Sequence, residues 1–399
     1  MRKKILIAGG GIGGLTAALA CLKRGFDVEV YEQAAELKEV GAGLQLSANG
    51  TRALYALGVG DALKRLSCAV EGKEYRLWNT GEAWKLYDLG AESVARYGYP
   101  YFTVYRPDLL AVLADAVRAL KPDAIHLNAR STGFEQNDRG VTLLMENGRS
   151  SQRARGDVLI GADGVHSSIR QTLFGADQPE FTGIMVWRGV IAMEKLPAHL
   201  RRMVGLNWLG PGKHVVNYPL HAGRLMNFVA ATERGDWQVE SWSVRGTTEE
   251  CLADYVGWHD DIQAMIKSID VPYKWALKTR APLPRWSVGR VSLLGDACHS
   301  TLPFMAQGAV MAIEDGFILA RALQEVEDVP QALTRYENAR RERTTGVVEG
   351  SNANVKRFHN PELAHAAGAR AYLDREMNEA KVKERYEWLF TYDVTTVPI

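Results

Sequence analysis

Cysteine is scarce, with four in 399 residues at positions Cys21, Cys68, Cys251 and Cys298. None falls in a CxxC pair or at Cys/His metal spacing, which argues against a disulfide scaffold or structural zinc and points to a reducing compartment. An excess of one charge is also missing: 48 Lys and Arg stand against 47 Asp and Glu, a net of +1. No global field therefore favours nucleic acid or an anionic membrane. No apolar run reaches the ~18 residues of a spanning helix. The opening Met1-Arg2-Lys3-Lys4 leads into only residues 5–8 before glycines interrupt, too short for a signal-peptide core, so a soluble, cytoplasmic protein is expected. Internal repeats and low-complexity linkers are absent too. The remaining composition, 46% hydrophobic and 24% charged, is that of an ordinary globular chain long enough for two or three packed units.

The pattern begins with an apolar run at 4–8, a glycine cluster at 9–14, and a stretch with Leu15, Ala18, Leu19 and Leu22 on one helical face. Phe26, Val28 and Val30 then alternate toward Glu32. This order predicts strand, glycine turn, helix, strand. Within it, Gly9-x-Gly11-x-x-Gly14 is a dinucleotide fingerprint, and Glu32 lies where an acid can accept hydrogen bonds from an adenosine ribose. The glycines let backbone N–H groups approach a pyrophosphate at a positive helix N-terminus. An acid at 32 favours a free 2′-hydroxyl, hence FAD or NAD.

Further along, 108–120 has helical spacing, and 157–160 is a brief strand leading into Gly161-Ala162-Asp163-Gly164. The spacing changes at 183–231, where 186–192, 203–208, 214–218 and 225–230 predict successive strands separated by turns. A helical stretch follows at 248–266. A strand at 291–294 then meets Gly295-Asp296-Ala297-Cys298-His299, and a helix is expected from about 307 to 323. The fold class expected is α/β: a Rossmann-like dinucleotide-binding domain, an inserted, mostly antiparallel β-sheet substrate domain, and a helical C-terminal region. The expected boundaries are 1–178 for the first part of the nucleotide domain, 179–285 for the sheet domain, 286–345 for completion of the nucleotide domain and 346–399 for the C-terminal helices.

Through GGGIGG, ADGVHSSIR and GDACH the chain resembles the class A flavoprotein aromatic hydroxylases over nearly its whole length. GAGLQLSAN, YRPDL, KHVVNYPL and AQGAVMAIEDG are most similar to salicylate hydroxylases, 3-hydroxybenzoate 6-hydroxylases and 6-hydroxynicotinate 3-monooxygenases. The resemblance implies bound FAD, with NADH or NADPH as transient reductant and O₂ forming a C4a-hydroperoxide that an electron-rich ring attacks. A single fingerprint fits one resident dinucleotide and one visiting nicotinamide. Among cofactor contacts the resemblance implies Gly9, Gly11, Gly14, Glu32, Gln33 and Arg106, Asp163 and Gly164 for both the pyrophosphate side and the transient NAD(P)H, and Asp296 on the ribityl chain. It also implies that the helix opening at Gln307, Gly308 and Ala309 faces the flavin N1–C2=O.

A phenol reacts better as phenolate, so a base or hydrogen bond near neutral pH is needed, and His214 and Tyr218, four residues apart on one proposed strand, share a face. They match the His and Tyr of the two hydroxy-acid families in KHVVNYPL. The substrate-binding candidates are Gln45, Arg188 and Pro303. Gln45 matches the 3-hydroxybenzoate enzymes, whereas Pro303 replaces a Gln of those enzymes and Phe304 a His of the hydroxynicotinate ones. Arg188 reads either as a carboxylate partner or as a structural cation. Cys298 and His299 read as turn and packing residues, His166 as a loop residue. Tyr386, Trp388, Phe390 and Tyr392 read as a packing seam or a dimer contact, so monomer and homodimer both stay open. No metal site is expected. The function expected is hydroxylation of a small phenolic or hydroxylated aromatic acid. Salicylate would give catechol with loss of CO₂, and 3-hydroxybenzoate would give gentisate. Two alternatives stay open: a larger aromatic secondary metabolite or antibiotic as substrate, and a non-catalytic FAD- or NAD-binding redox sensor.

Overall fold

The computed structural model describes residues 2–37, 42–148, 150–237, 239 and 244–399. Gly41, which opens the GAGLQLSAN segment, lies outside them. Lys4–Ala8 is the centre of a six-stranded sheet with strands in the order Ser287–Val288, Val291–Leu293, Val158–Gly161, Lys4–Ala8, Asp27–Tyr31, Ile125–His126. All neighbours run parallel except the first pair. A parallel sheet is buried on both faces, which explains why Ile5, Leu6 and Ile7 are all fully buried rather than alternating. The first crossover, Ile12–Lys23, packs against Gly308–Glu325 so closely that a Cβ at Gly316 would lie 2.7 Å from the Ala17 nitrogen.

From the central strand the chain crosses to Asp27–Tyr31 on one side, and later adds Val158–Gly161 on the other. This is a topological switch point, where open α/β sheets leave a crevice beyond the carboxyl ends of their strands. Gly9, Glu32, Ala162 and Leu294 each follow one of those carboxyl ends.

The second sheet has seven strands in the order Tyr273–Thr279, Glu180–Ala192, Leu225–Glu233, Lys213–Leu220, Gly205–Gly210, Gly72–Leu77, Ala83–Asp88. It is antiparallel except where Gly205–Gly210 meets Gly72–Leu77. The four strands expected between 186 and 230 are present, the second starting at Gly205 rather than 203. The two strands from 72–88 were not read from the sequence; their sequences GKEYRL and AWKLYD hold too few apolar residues for a clear period of two.

The helical stretch at 248–266 is two helices, Thr248–Asp254 and Asp260–Lys267. Gly257 takes a left-handed φ of +79° between them, and the His259 side chain accepts from the Asp261 N–H to start the second. The helix Val329–Phe358 starts where Asp328 accepts from the Gln331 N–H and Pro330 occupies the first turn. Its 30 residues run without interruption past position 345, where a domain boundary was expected. Two short helices, Ala366–Glu376 and Glu379–Phe390, follow it. No helix among the described residues is long and apolar enough to cross a membrane.

Candidate active site

The crevice at the switch point continues into a cavity of about 630 Å³ reaching the seven-stranded sheet. Fifteen of the sixteen other named candidates and His214 itself line it: Gly9, Gly11, Glu32, Gln33, Gln45, Arg106, Asp163, Gly164, Arg188, Tyr218, Asp296, Pro303, Gln307, Gly308 and Ala309. Gly14 stands one layer behind, where a Cβ would lie 2.0 Å from the Gly9 carbonyl oxygen. Gly9 is itself constrained: its φ is +109°, and a Cβ there would meet the Ala162 carbonyl at 2.3 Å. A Cβ on Gly11, by contrast, meets nothing within 4 Å. Gly9 and Gly14 therefore let turn, strand and helix close, and Gly11 leaves open space beside the turn.

Two helices aim their N-termini at this cavity. Ile12–Lys23 begins at Gly11 with no side-chain cap and no acidic residue in its first turn. Gly308–Glu325 begins at Gln307 with the same two features. Uncapped N–H groups with no carboxylate in the helix's own first turn suit an anion at both places. Glu32 is held by two backbone donors, Gly10 N–H at 2.7 Å and Ala34 N–H at 2.9 Å, which fix its carboxylate beside the glycine turn. Asp296 is exposed at the cavity.

Two candidates are engaged differently from a simple ligand. The Asp163 carboxylate accepts from Ser167 Oγ at 2.5 Å and from the Ser168 and Ile169 N–H groups, so its first task is to close the turn into Ser168–Phe174. Gln307 donates to Ser47 Oγ at 2.9 Å and accepts from Asn49 Nδ2 at 3.2 Å. Its backbone, not its amide, opens the second helix toward the cavity.

That helix is anchored from below by buried charge. Glu314 and Asp315 are each fully buried, and Arg340 reaches both at 2.7 Å from the long helix. Arg343 adds a contact to Glu314 at 2.9 Å, and His299 Nε2 lies 2.6 Å from Asp315 Oδ2. Although burial opposes ionisation, Arg343 and Arg340 hold Glu314 below the usual carboxylate range, and His299 and Arg340 do the same for Asp315. His299 thus packs as a turn residue, and Cys298 likewise donates to the Gly295 carbonyl.

On the seven-stranded sheet, His214 is 1% exposed and Tyr218 4%. Tyr218 sits against Gly43, where a Cβ would fall 2.6 Å from its ring. Tyr101 donates to Gln45 Oε1 at 2.9 Å, and Lys73 Nζ approaches the same oxygen at 3.4 Å. Arg188 lies over the rings of Tyr273 and Trp275, at 5.4 and 5.6 Å. Pro303 opens a 3₁₀ turn whose next residue, Phe304, meets the His214 ring at 5.0 Å.

Sequence reasoning missed three groups here. Lys73 lines the cavity, no carboxylate among the described residues pairs with it, and burial pushes its ammonium down to about 8. His359 lies just beyond the long helix, its Nε2 2.7 Å from His214 Nδ1. Glu233, at the end of its strand, lies 2.8 Å from His359 Nδ1. Lys73 sits on an unread strand, and the two histidines are 145 residues apart, so no local spacing joins them. Burial, the His359 ring and the Lys73 charge together hold His214 well below its ordinary value. The C-terminal aromatics pack within the chain: Phe390 meets Tyr87, Tyr97 and Tyr101, and with Tyr386 it also lines the cavity. Among the described residues no cluster of His, Cys, Asp and Glu is arranged to hold a metal ion.

A glycine turn at a switch point, a carboxylate held beside it and a second helix N-terminus along one cavity define the class, a dinucleotide-binding protein. The chain belongs to the FAD binding domain family, which it matches over residues 2–351, and FAD is its cofactor. It is 38% identical over 398 residues, 99% of this chain and 98% of the relative, to 3-amino-4-hydroxybenzoate 2-monooxygenase PtnB3 of Streptomyces platensis. With 3-hydroxybenzoate 6-hydroxylase of Polaromonas naphthalenivorans it shares 34% identity, covering 98% of this chain and 96% of the relative. Among solved structures, HpxO of Klebsiella pneumoniae complexed with FAD and uric acid superposes with a TM-score of 0.83 at 27% identity, covering 99% and 97% of the two chains.

Proposed function

We propose that this protein hydroxylates a small phenolic aromatic acid, a hydroxylated benzoate, using FAD, NADH or NADPH, and O₂. The observation that carries the proposal is the polar set on the sheet side of the cavity: His214, Tyr218 and Gln45 beside two cations, Lys73 and Arg188. A phenolic acid needs a proton acceptor for its hydroxyl and a cation for its carboxylate, and this set supplies both. Bound FAD supplies the redox chemistry, accepting hydride from the nicotinamide and activating oxygen. The side chains do the rest. Gly9, Gly11 and Gly164 leave room for the pyrophosphate, Glu32 and Gln33 face the adenosine side, and Arg106, Asp163 and Asp296 serve the middle of the cofactor. Gly308 and Ala309 present backbone N–H groups to the flavin ring. Lys73 orients the carboxylate, with Gln45 holding the ammonium in place. Phe304, Tyr386 and Phe390 exclude water from the ring.

The proposed division of the chain keeps 1–178 and 286–345 as the nucleotide unit and 179–285 as the main substrate sheet, with the long helix crossing the last boundary and the rest of 346–399 closing the cavity. A cytoplasmic location and a monomeric or homodimeric state belong to the same proposal. A spectrum of the purified protein comes first, then oxidation of NADH and NADPH with 3-amino-4-hydroxybenzoate, 3-hydroxybenzoate, salicylate and 6-hydroxynicotinate, with products identified by mass spectrometry. The expected result is a yellow protein whose oxidation rate rises with one of these acids and yields a hydroxylated product. A yellow protein indifferent to all four moves the substrate to larger aromatic metabolites.

A further inference from the structure

We propose that His214, His359 and Glu233 form a proton relay that carries the substrate's hydroxyl proton from the cavity to solvent. The inference rests on the hydroxylase reading and adds two residues, His359 and Glu233, that act through His214 rather than on the substrate. Its basis is geometric. His214 lines the cavity and is 1% exposed, closed in by Phe304 and Phe358 at 5.0 and 5.2 Å. Its Nδ1 is 2.7 Å from His359 Nε2, His359 Nδ1 is 2.8 Å from Glu233 Oε1, and the Glu233 side chain is 52% exposed. An imidazole–imidazole–carboxylate chain therefore leads from an interior wall to water without a break.

The carboxylate at the outer end sets the tautomers. A neutral imidazole carries one N–H, and a carboxylate only accepts. His359 must therefore place its proton on Nδ1, facing Glu233, which leaves Nε2 to accept. His214 in turn must place its proton on Nδ1, and its remaining nitrogen, Nε2, becomes an acceptor for a hydroxyl in the cavity. When a substrate O–H gives its proton to His214 Nε2, the Nδ1 proton of His214 moves to His359 Nε2 and the Nδ1 proton of His359 moves to Glu233. The substrate becomes a phenolate, Glu233 a carboxylic acid that gives its proton to water, and both rings stay neutral in the opposite tautomer. A proton returning by the same path, as the product leaves as a neutral phenol, restores the starting tautomers.

Burial, the neighbouring His359 and the Lys73 charge all disfavour a second proton on His214. Passing it onward through neutral rings avoids that cost. Among the charged groups around the path, Lys73 acts on His214 and Glu233 on His359.

The test mixes the FAD-loaded enzyme with its phenolic acid in weak buffer by stopped flow, reading an indicator dye for released proton and the phenolate absorbance band. Wild type is expected to release a proton as the phenolate forms. Glu233→Gln, which keeps the outer hydrogen bond but cannot take up a proton, is expected to slow both signals roughly tenfold or more. Its FAD content and its Kd for benzoate, which has no hydroxyl, stay at wild-type values, and Glu233→Asp recovers part of the rate. His359→Gln is expected to behave as Glu233→Gln; should it fail to retain FAD, the two Glu233 variants decide alone. Glu233 variants that release the proton at the wild-type rate overturn the relay and leave the hydroxylase reading standing, as does a wild type that hydroxylates its acid without releasing a proton. An enzyme that binds no phenolic acid overturns both.

Discussion

Lys73 offers the sharpest quantitative test of how this cavity selects an acid. Its ammonium lines the cavity with the Gln45 oxygen 3.4 Å away, and burial lowers it to about 8. A carboxylate beside it favours the protonated form, so binding and protonation reinforce one another. The sign follows: affinity is highest and flat below pH 8, where Lys73 is already charged, and falls as pH rises through 8, where the carboxylate must first recharge it. A hydrogen bond to a charged group is worth ~1.5–3 kcal/mol, so the full span in Kd is roughly tenfold to 150-fold. The slope is at most tenfold per pH unit and levels off about one to two units above 8. Benzoate is the suitable ligand, since it has no hydroxyl to titrate. His214, held well below its ordinary value, does not interfere above pH 6.5. The assay is a titration of benzoate against the flavin absorbance from pH 6.5 to 9.5, for wild type and Lys73→Met. The variant is expected to bind benzoate roughly tenfold to 150-fold more weakly at pH 7, with a flat profile. A Lys73→Met protein that binds as tightly as wild type, or that keeps the break near pH 8, refutes the assignment.

Three other outcomes follow from the geometry. His214→Ala is expected to slow hydroxylation by about 10²-fold or more while leaving FAD reduction by NAD(P)H near the wild-type rate; coupling of NAD(P)H use to product that stays unchanged removes His214 from the mechanism. Arg340→Met leaves two buried carboxylates short of a partner each, and urea unfolding is expected to show a loss of ~3–5 kcal/mol; a change under 1 kcal/mol would show that Arg343 and His299 suffice. The four cysteines are buried, and burial raises every one of their thiols, Cys21 to about 12, so Ellman's reagent is expected to find no reactive thiol in the native protein and four after denaturation.

Where function depends on neighbouring residues along the chain, the sequence was readable. Gly9, Gly11, Gly14 and Glu32 belong to one strand–turn–helix–strand unit, and Asp163 and Asp296 each close a strand of the same sheet, so motif and fold are a single signal. His214 and Tyr218 were legible through the period of two on one strand. Lys73, His359 and Glu233 were not, because tertiary pairing alone brings them in. Lys73 arrives by the parallel pairing of Gly72–Leu77 with Gly205–Gly210, and His359 by the full length of the helix that precedes it. The stretch read as helical at 248–266 is helical but divides in two for a local reason, a glycine at positive φ between the helices. Engagement was the hardest property to read: Asp163 and Gln307 sit at the cavity as expected, yet their side chains are committed to Ser167 and Ser47.

The helix Val329–Phe358 carries Arg340 and Arg343 near its middle and delivers His359 at its end. Each residue of a helix advances the chain by 1.5 Å and turns it by about 100°. Inserting or deleting one residue between Arg343 and Phe358 would therefore swing the arginines and His359 onto different faces, and no side-chain change could restore both. Substitutions on the exposed side of this stretch are cheap, but its length is not free to vary. Among descendants of this sequence, spacing across those positions is expected to persist after most of the residues themselves have drifted, and a gap there would mark a chain that has given up one of the two contacts.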